Sequence, residues 1–169
     1  MTDEDIRARA DERRRLLAEV ELERNQLLRN IETCRLRDIT HSFIGEWSVL
    51  DIMEHVAAAD SDAARALRAT RGGVTRPLPA FDCLTAPAVP DRNLGELWPA
   101  LERLHANRED LLAAMGEFSD EELTDEGSYP LALVAACRDH DKLHWHEIAA
   151  KLAGMAGVRR NLENLTNDS

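Results

Sequence analysis

Apolar residues recur every three or four positions along much of the chain, a spacing that predicts amphipathic helices. Residues 3–33 contain neither glycine nor proline, so the pattern predicts one long first helix there. Its apolar stripe comprises Ile6, Ala10, Leu17, Val20, Leu27 or Leu28, and Ile31. The other positions carry charges of both signs, which is typical of a solvated outer face. These charged residues include Arg7, Arg9, Glu12, Arg13, Arg14, Glu21, Glu23 and Arg24.

Two further long helices are predicted in the middle of the chain. Ser48 and Asp51 have the spacing of a capping box, so a second helix is expected over about residues 49–70. The third helix ends at Gly116, and its start is open between two positions. It begins near residue 91 with a kink at Pro99, or near Leu97 with Pro99 in the first turn, where a missing amide costs little.

The connection between these helices is the longest irregular segment. It follows Gly72 and Gly73, contains four prolines and shows no apolar period. A segment of this length is typical of a lid, a crossover between distant helix ends, or a locally disordered stretch. We favour the crossover.

A short helical turn and a fourth long helix are predicted after residue 116. Ser119 and Glu122 form a second capping box, and Pro130 is suited to the first turn of the fourth helix. That helix is expected to end at Gly154 or Gly157. We therefore expect an all-α fold with one domain over residues 1–158 and a polar, frayed tail over residues 159–169.

Composition and charge narrow the function classes. The chain has 169 residues, of which 31% are charged and only eight are glycine and six proline, which argues against a sandwich or barrel of short strands. A net charge of −11 argues against nucleic-acid partners. The longest apolar run, residues 131–137, is far too short to span a membrane. An acidic N-terminus and three scattered cysteines point to the cytoplasm.

Histidines on the fourth helix are the main candidates for chemistry. At about 100° per residue, His140 and His144 lie on one face, whereas His146 points away. A metal ion would satisfy both neutral rings, and His55 on the second helix, among small alanines, is the candidate third ligand. The alternative is that the pair is partly exposed and hydrogen-bonded and His55 is a core residue. Cys137, one turn before His140, is expected to be a small buried hydrophobe rather than a ligand or reactive thiol.

Two segments resemble a known superfamily. Gly45 to His55, with the sequence GEWSVLDIMEH, resembles the start of the second helix in the DinB/YfiT-like superfamily. Residues 140–148, HDKLHWHEI, resemble its late motif and are closest to the ClbS/DfsB-like branch. The resemblance implies a four-helix bundle with a long second connection. It also implies a divalent metal ion, commonly nickel, zinc or iron, held by His55, His140 and His144.

The resemblance extends to function. Relatives include transferases and isomerases that use low-molecular-weight thiols, and hydrolases that act on genotoxins. It implies that the metal site activates water or a small thiol toward a small electrophilic substrate. The alternative is a non-catalytic, stress-related or ligand-binding protein with a structural metal or none, and a homodimer is compatible with both.

Glu147 and Trp47 belong to the same two motifs. Glu147 matches the acidic residue of the ClbS/DfsB-like branch and is the predicted catalytic residue. Its carboxylate would accept a hydrogen bond from a ligating histidine, serve as a fourth ligand, or act as a base. The simpler interpretation is a surface ion pair with Lys151. Trp47 is predicted to pack at the entrance of the second helix.

Overall fold

The computed structural model describes residues 2–74, 76–78, 81 and 87–167, with side chains up to Ala156. These residues form α1 (Asp3–Glu32), α2 (Leu36–Thr40), α3 (Val49–Arg71), α4 (Leu97–Gly116), α5 (Asp120–Thr124) and α6 (Tyr129–Asn167). A 3-10 turn, Leu94–Glu96, leads into α4. The fold of this part of the chain is all-helical, as predicted. None of its helices has the length and apolarity needed to cross a membrane.

Most helix starts lie where the sequence predicts them. The Ser48 hydroxyl accepts a hydrogen bond from the Asp51 amide, and Ser119 does the same for Glu122, so both capping boxes are formed. Helix α4 begins at Leu97 with Pro99 in its first turn, which confirms the later of the two predicted starts. The five-residue helix α2 was not predicted, because it is too short to show an apolar period.

The end of the last helix was predicted wrongly. Helix α6 passes through Gly154 and Gly157 and continues to Asn167, thirteen residues beyond the first of them. A glycine inside a helix costs only about 1 kcal/mol relative to alanine, and no proline follows to stop the helix. Neighbouring residues of high helix propensity, such as Leu152 and Met155, therefore carry the helix past both glycines.

The long helices pack chiefly as two pairs, α3 with α4 and α1 with α6. Along the first pair, Glu54 contacts Arg103 and Arg68 contacts Asp110, so the two helices run in the same direction. The connection between them must therefore return from the end of α3 to its beginning, about 35 Å away. It arrives there, because Arg92 pairs with Asp51 at the start of α3. The predicted crossover is confirmed.

Two apolar clusters form the core, separated by a layer of buried charge. One cluster surrounds Leu67 and Leu111, and the other surrounds Leu50 and Leu104. Between them lie four buried charged residues, one from each long helix: Arg24, Asp60, Arg108 and Asp141. The prediction that Arg24 belongs to a solvated face is therefore wrong. Its guanidinium is buried because carboxylates from α3 and α6 meet it in the interior.

Candidate metal centre

The structure brings His55, His140 and His144 together at the boundary between the two helix pairs. His140 and His144 lie one turn apart on α6, and His55 faces them from α3. The Nε2 atom of His140 lies 2.8 Å from Nε2 of His55 and 3.0 Å from Nε2 of His144. One ring nitrogen from each histidine therefore falls within 4.8 Å of the other two. The group could hold a metal ion.

His140 and His144 are both buried, and their environment keeps them neutral. His140 is 4% exposed and His144 is 0% exposed. Burial, together with the neighbouring imidazoles of His144 and His55, lowers the pKa of His140 to about 2. Burial lowers the pKa of His144 to about 4, and the nearby Asp141 carboxylate offsets part of this effect. At neutral pH each ring thus keeps one nitrogen lone pair that can bind a metal ion.

Glu147 fixes the orientation of His144. Its Oε2 atom lies 3.0 Å from Nδ1 of His144, so the carboxylate accepts a hydrogen bond from Nδ1–H. The proton of this neutral ring is then on Nδ1, and the lone pair on Nε2 faces the other histidines. In the described part of the chain, Glu147 contacts the neutral ring of His144 and forms no ion pair with Lys151. Burial raises the pKa of this half-buried carboxyl.

The arrangement of ring nitrogens fits a cation better than hydrogen bonds. With the lone pair of His144 Nε2 facing inward, a proton on His140 Nε2 can be directed at either His144 or His55. A single proton cannot make straight bonds to both, although both nitrogens are within bonding distance. A divalent ion would accept all three lone pairs at once, and neutral imidazole is a common ligand of zinc, nickel and iron.

Two aromatic rings border the histidines. Trp47, directly before α3, meets His55 edge to face with 5.2 Å between ring centroids. It also packs against the apolar cluster around Leu50, in accord with its predicted packing role. Phe81, in the crossover connection, stacks on His140 with ring centroids 4.8 Å apart and planes inclined by 19°. The crossover thus supplies an apolar wall over a predicted ligand, which the sequence did not indicate.

Among the described residues, Cys137, His41 and His105 do not belong to the histidine cluster. Cys137 is buried as expected, and burial raises the pKa of its thiol to about 12, so it carries no thiolate at neutral pH. His41 and His105 are exposed. Cys83 lies outside the described residues.

A separate cavity of about 610 Å³ adjoins the start of α3. Its walls include Arg37, His41, Asp51 and Arg92, and the three clustered histidines are not among its lining residues. Two of its polar residues, Asp51 and Arg92, are already joined by a salt bridge.

The buried charges next to the site were missed by sequence reasoning, although the sequence holds a trace of them. Arg24 falls on the apolar stripe of α1, between Val20 and Leu27. Arg108 likewise falls between Leu104 and Leu111 on α4. A charged residue at an apolar position of a single helix is weak evidence of a buried ion pair. The same irregularity at one level of all four helices would have indicated an interior ion network.

Comparison with known families assigns most of the chain to one superfamily. The family model described as DinB superfamily matches residues 19–148, which include His55, His140 and His144. No curated protein matches the chain. No solved structure matches it. The family match covers well over half of the chain, including α3 and the part of α6 that carries His140 and His144, and on this evidence the protein is a member of the DinB superfamily.

Proposed function

We propose that the protein is a metal-dependent enzyme whose ligands are Nε2 atoms of His55, His140 and His144. The observation that carries the proposal is the convergence of three ring nitrogens, two of them from buried neutral histidines. We further propose that the four long helices form the four-helix bundle of the superfamily and place the site in its interior. The metal would be nickel, zinc or iron.

A bound divalent ion would lower the pKa of water or of a thiol and so supply a nucleophile at neutral pH. The proposed substrate is a small electrophilic molecule, attacked by water in a hydrolase or by a low-molecular-weight thiol in an S-transferase. The protein's own residues define the surroundings. Phe81 and Trp47 supply apolar walls that shield the histidines from solvent.

Glu147 has two proposed tasks at this site. Its carboxylate holds the proton on Nδ1 of His144 and thereby directs Nε2 toward the other two histidines. We also propose that it accepts the proton that a water or thiol nucleophile loses. Its half-buried position and raised pKa support this second task, because a carboxylate is a stronger base when its pKa is higher and thus closer to neutral pH.

Metal content tests the ligand set. The purified parent and the variants His55→Ala, His140→Ala and His144→Ala are loaded with nickel, zinc or iron, desalted and measured by elemental analysis. We expect about one ion per parent chain and a loss of bound metal in each variant. The matched control is His105→Ala, which replaces an exposed histidine on α4 and should retain the metal. A parent that binds no metal, or variants that all retain it, would exclude this site.

Activity with a model electrophile then separates the two reaction classes. Turnover that requires an added small thiol identifies an S-transferase, and equal turnover without thiol identifies a hydrolase. Metal binding without turnover of any tested electrophile would favour a non-catalytic, ligand-binding protein.

A further inference from the structure

Four buried side chains form a closed ring of ion pairs next to the histidine cluster. Arg24 donates from Nε and Nη2 to both oxygens of Asp141, at 3.1 and 2.9 Å. Arg108 donates in the same way to both oxygens of Asp60, each at 3.1 Å. Two more bonds close the ring, from Arg24 Nη2 to Asp60 at 2.9 Å and from Arg108 Nη2 to Asp141 at 2.7 Å. The ring comprises Arg24, Asp60, Arg108 and Asp141 and is at most 6% exposed at each member.

The ring divides evenly between the two helix pairs. Helix α1 contributes Arg24 and α6 contributes Asp141, whereas α3 contributes Asp60 and α4 contributes Arg108. Each pair therefore contributes one positive and one negative charge to the ring, and these two charges cancel. The two bonds that close the ring, Arg24 to Asp60 and Arg108 to Asp141, are the ones that cross from one pair to the other.

Directional bonds between the pairs matter because the neighbouring contacts are apolar. The two core clusters on either side of the ring favour burial, but apolar burial is not directional and resists sliding of one pair past the other less than hydrogen bonds do. A guanidinium bound to two carboxylates at about 3 Å tolerates little sliding. The histidine site depends on this register. His55 comes from one pair and His140 and His144 from the other, so a small slip would separate the ligands.

We propose that the ring of Arg24, Asp60, Arg108 and Asp141 is a positioning device that fixes the register of the two helix pairs and thereby holds His55 against His140 and His144. One ring member also adjoins the site in sequence, since Asp141 follows His140 directly on α6. This inference rests on the proposed metal site for its functional meaning, but the register itself is measurable without metal.

Replacing the ring with apolar residues of similar size separates positioning from stability. A buried ion network can often be replaced in this way without loss of stability, whereas its directional bonds are lost. The variant combines Arg24→Met, Asp60→Leu, Arg108→Met and Asp141→Leu. We expect it to remain folded and helical but to bind Co²⁺ about tenfold or more weakly than the parent, with an altered Co²⁺ absorption spectrum. Parental affinity together with a parental spectrum would overturn the proposal.

A conservative variant and a matched control accompany it. Arg24→Lys keeps the charge but loses the two-pronged contact with Asp141, so it should shift the Co²⁺ spectrum in the same sense. If the apolar variant does not fold, the Co²⁺ spectrum of Arg24→Lys decides whether the ring positions the histidines. The control combines Arg68→Met with Asp110→Leu, which removes an exposed ion pair within the α3 and α4 pair. It should leave Co²⁺ binding unchanged.

Spin-label distances test the register independently of metal. Labels at Ala58 on α3 and Lys142 on α6, both exposed, are introduced after Cys34→Ser, Cys83→Ser and Cys137→Ala. We expect a narrow distance distribution in the parent background and a broader or shifted one in the apolar variant. Equal distributions would refute the positioning role even if the parent binds metal. A parent without Co²⁺ binding would instead contradict the proposed function and leave the distance result to decide the inference.

Discussion

The hydrogen bond between Glu147 and His144 decides which nitrogen of the ring faces the other histidines. A neutral imidazole has one N–H and one lone pair, and an acceptor on one side fixes both. The carboxylate 3.0 Å from Nδ1 places the lone pair on Nε2. The motif resemblance placed Glu147 near the site but left four roles open, because the outcome depends on a side-chain rotamer and not on the sequence pattern.

Removal of this acceptor should weaken metal binding. We expect Glu147→Ala to lower the affinity for Zn²⁺ about 10- to 100-fold, because His144 loses the bond that orients it. Glu147→Gln should have a smaller effect, since its amide oxygen still accepts from Nδ1–H. Isothermal titration calorimetry measures both variants. Glu109→Ala, at an exposed glutamate of α4, should match the parent, and a Glu147→Ala affinity equal to the parent would show that the bond has no orienting role.

The buried histidines should make the metal-free protein sensitive to mild acid. In the folded state the pKa values of His140 and His144 are about 2 and about 4, below the ordinary value of 6.5. The unfolded chain therefore binds more protons below pH 6.5, and the free energy of unfolding falls as pH falls. Each histidine contributes a slope of up to about 1.4 kcal/mol per pH unit between pH 6.5 and about 4.

Urea unfolding in the presence of a chelator, repeated from pH 7.5 to 4.5, measures this slope. The variant that combines His140→Gln with His144→Gln lacks both titrating groups and should show a shallower dependence. A parent slope no steeper than that of the variant would mean that these histidines are not held neutral by the fold.

At the level of elements, the start of α3 fixes both the helix and the crossover. The Asp51 carboxylate accepts hydrogen bonds from the Ser48 amide and hydroxyl, as the sequence predicted. It also accepts from the Val89 amide and from Arg92, which belong to the crossover. Burial by itself would raise the pKa of Asp51, but these hydrogen bonds outweigh burial, and the pKa lies below its ordinary value. A single carboxylate therefore caps one helix and anchors the segment that leads to the next.

Loss of that carboxylate should destabilise the protein strongly. Asp51→Ala removes the cap and leaves the nearly buried Arg92 without one of its partners, which should lower the free energy of unfolding by about 3 kcal/mol. Urea unfolding followed by circular dichroism measures the change. The matched control is Asp5→Ala, where the same kind of capping box at α1 is exposed. A loss no larger than in this control would contradict the anchoring role.

The sequence predicted elements well where a local rule operates and poorly where a distant contact decides. The capping boxes at Ser48 and Ser119 are local, and both formed. The end of α6 depends on whether two glycines outweigh their neighbours, a balance of small terms that local rules did not resolve. Arg24 lies on the apolar stripe of α1, but local rules do not predict its burial, which depends on Asp60 and Asp141 on other helices.

For the whole molecule, metal binding and folding should be coupled. The proposed ligands come from two helices that belong to different pairs, so an ion bound at the site links the pairs in the folded state only. At a free metal concentration of 100 times Kd, the expected gain is about 2.7 kcal/mol. For a chain of this size the gain corresponds to an increase in Tm of roughly 5–10 °C.

Thermal unfolding with and without Zn²⁺ tests this coupling. A variant that combines His55→Ala, His140→Ala and His144→Ala should show no increase in Tm, which separates binding at the site from weak binding elsewhere on an acidic surface. An equal increase in parent and variant would place the metal outside the three-histidine group.

The positions of the tryptophans provide an optical measurement of the site. Trp47 touches His55, whereas Trp98 at the start of α4 is 72% exposed and Trp145 donates a hydrogen bond to Glu23. A quenching ion such as Ni²⁺ bound at the histidines would quench the fluorescence of Trp47 more strongly than that of Trp98. Iodide in solution would quench in the reverse order. The native fluorescence of the protein, unlabelled and at micromolar concentration, can therefore report both occupancy of the centre and the shielding of its surroundings.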